Sequence, residues 1–174
     1  MCGAADVEAY GGRGVTHLLS IDAPGYQTPT PRWLKGPHKH VFFQDILSED
    51  DAVVLGRKAP SLEDVQAILD FGSDCIREGG QHEVHLLVHC AQGASRSPAA
   101  AFAIMALALG PGHEKEALDY VMTRRRLAIP NRLVVRLADK LLDRKGKMVV
   151  ALAPVLKAAN DAIDEWLNKM KETR

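Results

Sequence analysis

A histidine–cysteine pair, His89-Cys90, is separated by five residues from an arginine–serine pair, Arg96-Ser97. Cysteine attacks only as a thiolate, and a free thiol titrates near ~8.5, so its surroundings must ionise it. Here the surroundings have the means. Leu87-Val-His-Cys90 is mostly apolar and suits the end of a buried strand; Ala91-Gln-Gly-Ala-Ser95 is a turn of small residues; an Ala-rich helix follows. A strand that turns straight into a helix gathers backbone N–H groups around one point, at the positive end of the helix dipole. An anion the size of phosphate fits such a concavity. Gly93 permits backbone angles other residues resist, and Ala91 and Ala94 keep the lining small. Arg96 has a planar fork able to hold two phosphoryl oxygens. The Ser97 hydroxyl can donate to the sulfur, helping it exist as an anion and leave as one.

These residues resemble the active-site loop of the cysteine-dependent protein tyrosine phosphatases, His-Cys-x5-Arg-Ser/Thr, matched by His89, Cys90, Arg96 and Ser97. The stretch from Ala91 to Ser97 and the apolar helix after it look like the compact dual-specificity branch, as does Arg125-Arg-Leu-Ala-Ile-Pro-Asn131. Weaker similarity extends over about 15–145. The resemblance implies attack of Cys90 on phosphorus, a cysteinyl-phosphate, and its hydrolysis by water, with no metal or organic cofactor. Arg96 and the backbone of Ala91, Gln92, Gly93, Ala94 and Ser95 would cradle the phosphate. His89 would order the loop. The substrates implied are phosphorylated proteins or peptides, phosphotyrosine first and phosphoserine or phosphothreonine after it. The loop interior has no lysine, and family members acting on inositol lipids often carry basic residues there.

The family also uses an aspartic acid that protonates the leaving oxygen and then activates water, a role that typically contributes ~10²–10⁴-fold. Asp45, directly after an apolar stretch, holds the corresponding place; Asp50 and Asp51 are its rivals. The span from Asp45 to Cys90 is longer than in compact relatives, so residues 46–60 read as an inserted loop. Two other readings compete with the hydrolase. One is a rhodanese-like sulfurtransferase, whose loops usually resemble Cys-x4-Arg. The other is a catalytically silent phosphotyrosine-binding module.

The elements that must position this site follow from hydrophobic period and punctuation. Residues 15–21 and 39–44 read as strands, separated by a Pro- and Gly-rich loop over 22–38. Ser61 and Asp64 form a capping-box pattern that opens a helix ending at Gly79-Gly80. Val84–His89 is a strand whose unbroken apolar centre suits a parallel sheet covered on both faces. Pro98 suits the first position of the next helix, which runs to Gly110. Further helices are expected over about 113–126 and, capped by Asn131, over 132–144. Pro154 is read as opening a last helix, with Val155, Ala159, Ile163, Trp166, Leu167 and Met170 as one apolar stripe facing the core. Strand–helix alternation gives an α/β fold: one sheet with a buried parallel central strand flanked by helices.

Length and composition agree with a single domain over 1–174, with a phosphatase-like core over about 15–145 and a helical extension over about 147–172. The chain has 22 Lys+Arg and 22 Asp+Glu, so no global pull toward nucleic acid or anionic lipid is implied. The longest apolar run, Ala99 to Leu109, is too short to span a bilayer. Three widely spaced cysteines form no disulfide framework and suit a cytoplasmic location. A metal reading of His82, His85, His89 and Cys90 is weak. His85 and His89 would lie about 13 Å apart along a strand, whereas zinc ligands sit about 2 Å from the ion. Arg124-Arg125-Arg126 ends a helix and reads either as a solvated terminus that complements the dipole or, with Arg132, as arginines that flank the site and attract phosphate.

Overall fold

The computed structural model describes residues 1–172. Four strands, β1 (Cys2–Gly3), β2 (His17–Asp22), β3 (His38–Phe42) and β4 (Leu86–Cys90), form one parallel sheet in the order β1-β4-β2-β3. Every residue of β2 is buried, as is β4 from Leu87 onward, because both faces of these central strands are covered. The helices are α1 (Glu49–Leu55), α2 (Leu62–Gly79), α3 (Arg96–Leu109), α4 (Glu114–Arg124), α5 (Arg132–Leu141) and α6 (Lys147–Glu172). Leu19, Ile21, Val41, Phe43, Val88 and Cys90 pack with α2 to α6 into the main core. The opposite face, Leu18 and Leu87 with Cys2, is closed by a short 3-10 helix (Ala4–Tyr10), through Val7, and by Leu34.

The architecture is the α/β single-sheet fold expected, with boundaries that differ for physical reasons. Residues 46–60 are not all loop: Ser48 caps α1 by accepting from the Asp51 N–H, three acidic residues fill the first turn, and Gly56 ends it at φ 60°. Pro98 is not the first residue of its helix. α3 starts at Arg96, which leaves Pro98 in the first turn, where a missing N–H costs no intrahelical bond. Pro154 does not open the last helix but lies inside it, seven residues past the start of α6. The apolar stripe read on α6 is not core: Val155 and Ala159 are only partly buried, and the buried side chains lie ahead of the stripe. Met148 and Leu152 are buried, whereas Ile163, Trp166, Leu167 and Met170 are exposed. No helix among the described residues is long and apolar enough to cross a membrane.

Candidate active site

Cys90 is the last residue of β4, residues 91–95 turn, and Arg96 opens α3. The Cys90 side chain is buried, with Sγ 3.4 Å from the Ser97 hydroxyl. Burial pushes the thiol up, but the Ser97 hydroxyl, the N–H groups of Ser97 and Gly93, and the Arg96 charge outweigh it. The thiol titrates below its ordinary value.

The turn is held open from outside by its carbonyls. Ala91 O accepts from the Ala4 N–H (3.1 Å), Gln92 O from Arg125 Nη2 (3.1 Å) and Gly93 O from Arg125 Nε (3.1 Å). Ala94 O accepts from the Ile129 N–H (2.8 Å) and Ser95 O from the Asn131 N–H (3.1 Å). With five successive carbonyls turned outward, the N–H groups are left to the inner side, where Sγ sits. Gly93 is required twice over: its φ is +69°, and a Cβ there would sit on the Cys2–Gly3 backbone. Arg125 does not simply face solvent at a helix end: it flanks the site, the second of the two readings of its run, but by clamping the loop's carbonyls. One brace left no signal in the sequence. The strand β1 is two residues long and exists only through its pairing with β4.

Arg96 is buried, with Nη1 donating to Phe43 O (2.9 Å) and Ile21 O (3.4 Å). Its Nε has no protein partner. A buried guanidinium N–H without an acceptor is costly, and a bound oxyanion would satisfy it.

Asp45 is brought to the same loop. Its Oδ1 accepts from Ser95 Oγ (2.7 Å) and from Asn131 Nδ2 (2.7 Å). Asp50 and Asp51 are not: both sit in the first turn of α1, exposed. Asn131 does two jobs, since its Oδ1 caps α5 by accepting from the Leu133 and Val134 N–H groups. The cap was legible in sequence; the reach of the amide across to Asp45 was not, because the two residues are 86 apart in the chain.

His89 is fully buried and its Nε2 lies 2.6 Å from Ser20 Oγ. His82 and His85 are exposed and lie away from it. Among the described residues no group of three or more His, Cys, Asp or Glu is placed to hold a metal ion. Cys2 lies in the cluster on the opposite face of the sheet from Cys90, and Cys75 is buried in α2. Burial pushes both of these thiols up to about 11.

No family model and no curated protein matches the sequence. Solved structures do. Human DUSP28 is 22% identical, with 82% of this chain and 86% of that one covered at a TM-score of 0.59. The human tyrosine phosphatase-like serine/threonine/tyrosine-interacting protein is 19% identical, covering 80% and 84% at 0.57. The Yvh1 phosphatase domain from Chaetomium thermophilum is 20% identical, covering 84% and 91% at 0.55. The chain thus has the fold of the dual-specificity phosphatases.

Proposed function

We propose that the chain hydrolyses phosphate monoesters through a cysteinyl-phosphate, acting on phosphorylated proteins or peptides with phosphotyrosine preferred over phosphoserine and phosphothreonine. The observation that carries this reading is the acidified, buried Cys90 thiol inside a turn whose carbonyls all point away, beside an Arg96 Nε that lacks an acceptor. The phosphatase fold of its structural neighbours supports the same class of reaction.

In the first step the Cys90 thiolate attacks phosphorus, the bond from phosphorus to the ester oxygen breaks, and that oxygen takes a proton from Asp45. Ser95 and Asn131 both engage Oδ1, which leaves Oδ2 to carry the proton. In the second step water attacks phosphorus, Asp45 recovers a proton from it, and the sulfur leaves as thiolate with the Ser97 hydroxyl donating to it. Arg96 and the inward N–H groups hold the three equatorial oxygens throughout. The reaction needs positioning and charge stabilisation rather than new covalent chemistry.

The test is release of phosphate from p-nitrophenyl phosphate and from a phosphopeptide panel, with and without vanadate. Vanadate-sensitive turnover that is fastest on phosphotyrosine peptides is expected. Cyanolysis of thiosulfate without phosphate release would assign a sulfurtransferase instead, and tight phosphopeptide binding without turnover a silent reader.

A further inference from the structure

The second half of α6 leaves the body of the protein. Met148 and Leu152 are buried, no side chain from 153 to 171 is, and every residue over 160–171 is exposed. Between this arm and the stretch from Met122 to Ile129 lies a groove of about 680 Å³. Along α6 its lining runs from Pro154 to Trp166, about 18 Å of helix, and includes Ala158, Ala159 and Ala162. On the other side stand Leu127 and Ile129. The groove is wet although its walls are apolar: Trp166 is 59% exposed and Leu127 92%. An apolar patch of that size left open to water marks an interaction surface.

The arm is complementary to itself. With α6 laid antiparallel on its copy and the two-fold axis at Ala162-Ile163, Trp166 comes to the height of the partner's Ala159, and Ala159 to that of the partner's Trp166. Each indole then enters the alanine-lined trough of the other copy, bulk against small side chains, which lets two helices approach closely. One patch is used twice, as a two-fold interface requires. A parallel pairing would set Trp166 on Trp166 and leave the alanines facing one another across a void.

Charge agrees with this arrangement. Among the residues lining the groove Arg126 alone is charged, and Glu165 stands next to Trp166 on α6. Neither is in an ion pair among the described residues. In the antiparallel pair Glu165 arrives with Trp166 at the partner's groove, so two Arg–Glu pairs form per dimer. An uncharged apolar peptide would leave Arg126 without a counter-charge. Size agrees as well. Covering Ile163, Trp166, Leu167, Leu127 and Ile129 in both copies removes on the order of 1,000 Å² from water, the area from which a specific interface holds.

We propose that a second copy of this chain fills the groove: α6 pairs antiparallel with α6 of the partner, Trp166 packing on the partner's Ala159 and Glu165 pairing with the partner's Arg126. The contact leaves the cradle at Cys90 open, because it uses none of the residues 90–97.

Sedimentation equilibrium of the full chain over roughly 1–100 μM tests this, with thermal melting as the control for folding. The parent should reach twice the 19.0 kDa mass of one chain. Trp166→Glu should keep the single-chain mass throughout. Ala162→Glu, which sets two like charges on the axis at an exposed position, should do the same and serves if Trp166→Glu melts early. Arg126→Glu and Glu165→Arg should each weaken association about tenfold, and the two combined should return it to within about threefold of the parent. A parent that stays monomeric over the whole range overturns the proposal, whatever else the groove can bind. So does a dimer that survives Trp166→Glu or Ala162→Glu in folded protein, since it must then use another face. A charge-swapped protein no better than either single variant overturns the antiparallel pairing.

Discussion

Replacing Arg96 by lysine keeps the charge and removes the geometry. In the parent, Nη1 is committed to Phe43 O at 2.9 Å and Ile21 O at 3.4 Å, while Nε is left without an acceptor. A lysine has one nitrogen at the end of a flexible stem, so it can keep the carbonyls or reach a phosphoryl oxygen but not both. Hydrogen bonds to charged groups contribute about 1.5–3 kcal/mol each. Losing two of them from the transition state costs about 3–6 kcal/mol, or roughly 10²–10⁴-fold in kcat/KM. Initial rates on p-nitrophenyl phosphate measure this, with thermal melting as the control for folding. Phe43 lies two residues before Asp45, so Arg96 also anchors the backbone that carries the acid. Arg96→Lys combined with Asp45→Asn should therefore cost less than the sum of the two. A folded Arg96→Lys protein within tenfold of the parent rate would refute the fork as the phosphate holder.

Cys90→Ser should show no turnover in a burst-free phosphate assay yet still bind vanadate or phosphate by calorimetry; measurable turnover would move the nucleophile elsewhere. Asp45→Asn should lower kcat by about 10²-fold, because an amide has no proton to give the leaving oxygen. Asp50→Asn and Asp51→Asn should stay within about twofold, and an equal loss in either would reassign the acid. Gly93→Ala should lose activity and lower the melting temperature, since left-handed backbone costs a non-glycine residue about 1–2 kcal/mol before any clash. Asp22 titrates below its ordinary value: burial pushes it up, but Thr28 and His40 more than offset that. Its contribution to stability is thus present above about pH 4 and lost as pH falls through the depressed value. Urea melts of the parent should weaken on acidification in that range, and Asp22→Asn should flatten the dependence; a parallel curve would show that Asp22 carries none of it.

Much of this was written locally in the chain. The Ser61–Asp64 box, the Asn131 cap and the apolar run into Cys90 each specify an element through neighbours a few residues away, and each element formed, the strand at 86–90 instead of 84–89 and the Asn131-capped helix ending at 141 instead of 144. α1 carried comparable signals in Ser48, its acidic first turn and Gly56. It was passed over because it buries no side chain and so shows no apolar face. β1 left no trace at all, since a two-residue strand has no period; only the distant partner β4 makes it one. The α6 stripe shows the opposite error, for a 3.6-residue period says that a face is apolar without saying what covers it. At the site, Cys90, Arg96 and Ser97 sit within eight consecutive positions and could be read together. The Arg125 clamp and the Asn131–Asp45 bridge join residues more than 30 apart, and no pattern along the chain encodes such pairs.

All four strands run the same way, and this divides the molecule between two rims. The finishing ends of β1, β3 and β4 deliver Gly3, Phe43 and Cys90 to one side, and everything that grips or reacts is crowded there. The starting ends leave the connections at 11–16, 31–37 and 80–85 on the far side. A saturation library should therefore split cleanly. Substitutions along the first rim should abolish the proposed phosphate release in proteins that still melt normally, whereas those along the second should change melting and leave the rate per folded molecule intact. Gly36 is the place on that second rim where tolerance should end, because any side chain there meets the carbonyl of Thr16. The rest of that rim is where a reporter tag or a grafted recognition loop can be inserted at least cost to catalysis.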